Sequence, residues 1–126
     1  MSEVEIRGEN LNGLGWTLKS LLDDKLDQPE IISALARLRG TLVVTETEAG
    51  VSSTLFFQGG PLAIADGAVE RPTAWLSGEF EPLSELISGQ VGPVRALITR
   101  RISAGGNLIK LLAMAKVIIS KETRQD

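Results

Sequence analysis

The stretch GGNLIKLLAMAKVIIS, residues 105–120, admits few ways of folding. Between Leu108 and Ile119 its only polar residues are Lys110 and Lys116. At about 100° per residue, Leu108, Leu111, Leu112, Ala115, Ile118 and Ile119 form one face about 120° wide, enough to seat a helix on a sheet. Ile109, Met114 and Val117 fall outside that arc, so the helix is more apolar than one packing surface requires. Its 12 residues reach roughly 18 Å, too short to cross a bilayer. Three arrangements could cover it: surrounding protein, an apolar ligand in a cavity or groove, or contact with a second subunit or a membrane.

The chain has 126 residues, the size of one domain with one core. Residues 1–12 and 121–126 read as flexible ends of that single domain. Hydrophobic residues make up 43% and charged residues 23%, the profile of a soluble globular protein. There is no cysteine and no histidine. Disulfides and thiolate or imidazole metal sites are thereby excluded, and the common nucleophile–base pairs are missing. No cofactor is expected. A chain without cysteine suits the cytoplasm. The opening MSEVEIRGEN is acidic and polar, unlike a signal peptide, and no apolar run reaches the length of a membrane span.

The net charge of −3 conceals an asymmetry. Residues 1–90 carry six Lys/Arg against fourteen Asp/Glu, a balance of −8; residues 91–126 carry seven against two, a balance of +5. A basic segment joined to the most apolar helix favours transient contact with an anionic membrane surface. Nucleic acid is not an expected partner, because the whole chain is acidic and no binding motif occurs.

Local patterns predict an α+β order. Leu14, Leu18, Leu21 and Leu22 have helical spacing, as do Ile31, Ile32, Leu35 and Leu38. Asp27 reads as the cap of the second helix, with Pro29 in its first turn and Gly40 at its exit. TLVVTETE and VSSTLFFQ flank Ala49-Gly50 as a hairpin, and PLAIAD and TAWLS follow as strands. Helical spacing returns at Phe80, Leu83, Leu86 and Ile87; VRALI makes a short helix and RRISA a fifth strand. Asn107 then caps the final helix.

The run Phe80-x-x-Leu83-x-x-Leu86-x-x-Gly89-x-x-x-Pro93-x-x-Ala96, followed by a strand and by Gly106-Asn107 opening an apolar helix, resembles the sterol carrier protein 2 (SCP-2) superfamily. The resemblance covers roughly residues 14–119 and is clearest in 73–115. It departs from the family at Leu97, Ile98, Thr99 and Arg100, where aromatics, a glutamine and a glycine are frequent. What it implies is a five-stranded, mostly antiparallel sheet with helices on one face and an apolar tunnel between the layers.

The implied activity is non-enzymatic lipid binding and transfer. Ligands of the family include fatty acids, acyl-CoA, phospholipids, sterols and isoprenoid quinones. The implied lipid-binding residues are Phe80, Leu83, Leu86, Ile87, Leu97, Ile102, Leu108, Leu111, Leu112 and Ala115. Head-group contacts are expected from Arg100, Arg101, Gly106 and Asn107, where free helix N–H groups and two guanidiniums favour an anion. The alternative is an accessory subunit or a homodimer that presents lipid intermediates to partner enzymes, as in quinone biosynthesis. An enzyme is disfavoured, for no G-x-S-x-G, phosphate loop or metal spacing occurs.

Overall fold

The computed structural model describes residues 3–99 and 101–119, without the side chains of Pro93 and Val94. The element order is β1 (Glu5–Arg7), α1 (Gly13–Asp23), α2 (Pro29–Ala36), β2 (Arg39–Glu46), β3 (Val51–Gln58), β4 (Leu62–Asp66), β5 (Ala74–Gly78), α3 (Phe80–Ser88), α4 (Pro93–Ile98), β6 (Ile102–Gly106) and α5 (Leu108–Ile118). The strands form one mixed sheet in the order β1-β4-β3-β2-β5-β6. The pairs β2–β3, β3–β4 and β5–β6 are antiparallel, whereas β1–β4 and β2–β5 are parallel. No described helix is long and apolar enough to cross a membrane.

The sheet has six strands where the sequence pattern predicts five, and the addition comes from the N-terminal stretch expected to be a flexible end. Glu5–Arg7 carries too short a pattern to announce a strand, but partners hold it. Ile6 lies beside Ile64 in the parallel register, and the Val4 amide donates to Asp23 at 2.7 Å. The Arg7 guanidinium sits 4.4 Å from the Phe56 ring centroid and donates to the Gln58 side chain. Residues 121–126, the other expected flexible end, lie outside the described residues.

Alternation along the strands divides the sheet into two unlike faces. Leu42, Val44, Leu55, Phe57, Leu62, Ile64, Leu76 and Ile102 share one face and join the helices' apolar sides in the core. The opposite face is partly covered by the connection from β4 to β5. There the buried Thr54 hydroxyl donates to the Gly67 carbonyl at 2.7 Å and accepts from the Val69 amide.

Side-chain caps start α1 and α5, and a proline in the first turn starts α2 and α4. Asn12 accepts from the Gly15 amide at 2.8 Å, and its own amide donates to the Ser52 carbonyl, so one side chain both starts α1 and ties it to β3. The α2 cap is Gln28 rather than Asp27, because Pro29 already occupies the first helical position. That helix ends at Ala36, and Gly40 belongs to β2 instead of the helix exit.

Two features anchor the last helix. Gly106 has φ +89°, and a Cβ there would lie 2.5 Å from the Thr73 carbonyl oxygen and 2.7 Å from the Ala74 Cα. At the other end, the buried Lys25 ammonium donates to the Ile118 carbonyl at 3.0 Å. Burial lowers the Lys25 pKa from the ordinary 10.5.

Gly106→Ala should lower the unfolding free energy by roughly 3 kcal/mol, combining a left-handed backbone with a clash against main chain; urea titration would measure it. Lys25 makes a second prediction. Between its lowered folded pKa and 10.5 the unfolded chain binds more protons, so stability should rise with pH in that window. Lys19, whose pKa is raised chiefly by its hydrogen bond to Asp23, contributes stability that is lost only above 10.5. No Cys, His or Tyr side chain titrates in between. Chemical denaturation from about pH 8 upward should show the rise, and Lys25→Met should flatten it.

Candidate functional site

The site is built around the seat of α5. Asn107 receives the chain from the Gly106 corner, donates its amide to the Thr73 carbonyl at 2.8 Å, and accepts from the Lys110 amide at 3.0 Å. From there α5 runs across β6, β5 and β2 and packs against α2. Leu111, Met114, Ala115, Val117 and Ile118 are its buried residues. Leu108 and Leu112, expected on the packing face, are each 60% exposed.

The packing face is therefore rotated by about 75° from the predicted arc. The cause is local. Gly40 in β2 leaves room under the helix, where a Cβ would come 3.0 Å from the Met114 methyl. Met114 drops into that space and is fully buried, drawing Val117 inward with it. Lys110 turns toward the α2–β2 junction and donates to the Arg39 carbonyl at 3.1 Å.

That rotation orients the helix's free side. Lys110 marks the α2 side, and Leu108 and Leu112 lie roughly opposite on the helical wheel. Because α2 packs over β3, the far side of α5 faces the edge strand β6. There α4 also packs on β6, with Ala96 buried and Leu97 left 44% exposed. Ala104 of β6 is half-buried between them in the register, on the same sheet face as the buried Ile102. Leu97, Leu108 and Leu112 are thus exposed apolar side chains on the two helices that pack on this edge strand, an apolar flank of the sheet edge.

The other lipid-contact candidates sit below that surface. Leu83, Leu86, Ile87, Ile102, Leu111 and Ala115 are buried, and the core cluster includes all of them except Ala115. Phe80, at the start of α3, is half-exposed at the opposite end of the β5–β6 pair from Gly106. No apolar tunnel runs between the layers among the described residues. Leu18, Leu22, Leu42, Leu55, Ile64, Met114 and Ile118, all nearly inaccessible, occupy the interior between the layers.

The expected head-group residues are not brought together. Arg101 and Asn107 stand at opposite ends of β6, roughly 20 Å apart at strand rise. Asn107 is occupied as a cap, and Gly106 forms the turn. Arg100 lies outside the described residues. Arg101 pairs with Glu85 of α3 at 2.9 Å. It also borders a polar cleft of about 400 Å³ together with Thr47, Ser77, Gly78, Glu79, Glu81, Pro82 and Ser103. Two carboxylates and three hydroxyls make that cleft unsuited to an acyl chain.

Sequence reasoning missed Ala104 on this sheet edge and, away from the flank, the strongly exposed Ile98. The available signal was phase: with Ala96 packed inward, Ile98 points away from the core.

Similarity to known proteins now decides the family. The SCP-2 sterol transfer family model matches residues 18–118. The chain belongs to that family. No curated protein sequence matches it, but solved structures share its fold. The sterol carrier protein domain 2 of Helicoverpa armigera aligns with TM-score 0.65 and 18% identity, covering 94% of this chain and 98% of that one. A UbiJ-SCP2 ubiquinone synthesis protein aligns with TM-score 0.64 and 18% identity, covering 84% and 90%. The inverting sec-alkylsulfatase Pisa1 from Pseudomonas sp. aligns with TM-score 0.70 and 13% identity over 91% of this chain. This chain spans only 18% of the sulfatase. The SCP-2 family is one of lipid binding and transfer, and the order of helices and strands here is α+β as in its members.

The geometry separates neighbouring leucines of α5. Leu112→Glu should keep the unfolding free energy within about 0.5 kcal/mol of wild type, whereas Leu111→Glu should unfold the domain. Thermal melts followed by circular dichroism would distinguish the two.

Proposed function

We propose that this chain binds and carries an apolar lipid without catalysing a reaction on it. The observation that carries the reading is the flank bordered by Leu97, Leu108 and Leu112 on an SCP-2 fold. These are large apolar side chains on two helices beside one edge strand, left uncovered by protein. An acyl or isoprenoid chain laid along them would gain about 0.8 kcal/mol per buried CH₂, with no directional chemistry required. Entry between α4 and α5 would bring it to Ile102, Leu111 and Ala115, while Phe80, Leu83, Leu86 and Ile87 support the adjoining wall. Fatty acids, acyl-CoA, phospholipids, sterols and isoprenoid quinones all offer such surface. With five aromatic residues in the whole chain, stacking on a sterol ring adds little.

A second reading has the same flank presenting lipid to partner enzymes, or covered by a second copy. The structural likeness to a ubiquinone synthesis protein, over most of both chains, favours keeping an isoprenoid quinone among the cargoes.

Native mass spectrometry of protein purified from its host, with extraction of bound lipid, is the direct test. A bound lipid of defined mass is expected. A Leu108→Glu/Leu112→Glu variant should weaken binding of a fluorescent fatty acid by about tenfold or more while remaining folded. Absence of co-purifying lipid together with no probe binding by wild type would refute the carrier reading. A dimer that persists unchanged when lipid is added would favour the partner reading.

A further inference from the structure

We infer that the protein docks onto anionic membrane surfaces through the outer sides of α4 and α5. The inference rests on the lipid-carrier reading and supplies the partner from which cargo is collected. Two independent distributions coincide in it.

The first is charge. Residues 86–121 contain no aspartate or glutamate, yet hold Arg95, Arg100, Arg101, Lys110, Lys116 and Lys121. The rest of the chain carries all sixteen acids against seven basic residues. Within the described residues, Arg95 and Lys116 are exposed on α4 and α5 themselves. Arg101 is held by Glu85 of α3 and Lys110 by the Arg39 carbonyl, so neither is the first to reach a headgroup.

The second distribution is apolar exposure. Nine large hydrophobic side chains are exposed among the described residues, and five of them, Leu97, Ile98, Leu108, Ile109 and Leu112, fall inside the acid-free stretch. Ile98 and Ile109 are the most exposed of the nine, at 73% and 83%. They lie on the two helices that pack on β6, and each is more exposed than Leu97, Leu108 or Leu112. By contrast, Ile32 on α2 is exposed in an acidic neighbourhood that includes Asp27 and Glu30.

Exposed isoleucines in an acid-free, basic stretch of the chain suit a bilayer interface. The side chains enter the acyl boundary while Arg95 and Lys116 meet anionic headgroups. A nucleic acid would use the cations and leave the isoleucines in water. A second copy of this acidic protein would use the isoleucines but would set basic segments against each other if it paired face to face. Of these three surfaces, the membrane satisfies both. Docking there places the open flank directly against the lipid from which an acyl chain would be drawn.

Co-flotation with vesicles tests this. The full chain should bind phosphatidylcholine vesicles containing about 30% phosphatidylserine, bind pure phosphatidylcholine weakly, and be released by about 0.5 M NaCl. Ile98→Asp/Ile109→Asp should reduce vesicle binding by about tenfold while still binding the fluorescent fatty acid, because neither residue borders the flank. Ile32→Asp should float as wild type does. Failure of wild type to bind the anionic vesicles, or undiminished binding by the double variant, would overturn the inference. So would a wild-type dimer that the double variant converts to monomer without any vesicle binding. Failure of the fatty-acid probe to bind wild type would instead remove the carrier reading, leaving the flotation result to stand separately.

Discussion

The close approach of Gly106 to the main chain of Thr73 and Ala74 governs the functional half of the molecule. With no Cβ at residue 106, β6 can turn directly out of its pairing with β5, and Asn107 can donate to the Thr73 carbonyl. The origin of α5 is thereby fixed against the end of β5, while Lys25 holds its last turn from the other side of the chain. A helix pinned at both ends has little freedom except rotation. Gly40 and Met114 set that rotation, and the rotation decides which leucines remain outside. The apolar flank is thus a consequence of two missing Cβ atoms and one flexible side chain, none of which belongs to the flank itself.

Element order was largely legible from the residues, because each helix or strand carried its own periodicity and turn chemistry. The hairpin around Ala49-Gly50, the Pro29 start of α2 and the Asn107 cap are all local signals, and all appear in the structure. The rotation of α5 was not legible. When nearly every position is apolar, the pattern has no phase, and packing partners from distant strands choose the face. The arc that included Leu108 and Leu112 and left out Met114 and Val117 was no more apolar than the face that is buried, and the space above Gly40, far earlier in the chain, receives Met114. β1 escaped notice for a related reason. Three residues hold no periodicity, and their strand state is imposed by β4, Asp23 and Phe56.

The family resemblance correctly led to the SCP-2 fold, but the expected tunnel did not follow from it. A tunnel requires the two layers to stand apart, and here the interior positions are filled by leucine, isoleucine, valine and methionine side chains with almost no accessible surface. On the carrier reading, space for cargo would then come from an edge. The β6 edge is suited to this because α4 is short and α3 and α4 pack over the start of the β5–β6 pair, leaving the side of α5 beyond them bare. The polar cleft at the β5–α3 junction is not a substitute for such a space. Its carboxylates and hydroxyls would have to lose water to receive a hydrocarbon, and nothing in a hydrocarbon could replace that water.

A carrier of this kind has to release what it binds, and an open flank meets that requirement better than a closed tunnel. Each methylene in contact contributes a similar small free energy, so affinity grows with the length of chain engaged and carries little information about the head group. Partial withdrawal costs only the methylenes withdrawn, which makes release a graded process rather than the opening of a sealed cavity. The same additivity explains why the sequence holds no motif of polar residues to find. Its function, on the reading proposed, resides in where apolar side chains are left without neighbours, and that is a property of packing. Charge enters only at the second step, by selecting the surface against which those side chains are left bare. The acidic remainder of the protein then favours one orientation at an anionic bilayer, because its carboxylates are repelled while the α4–α5 side is drawn in.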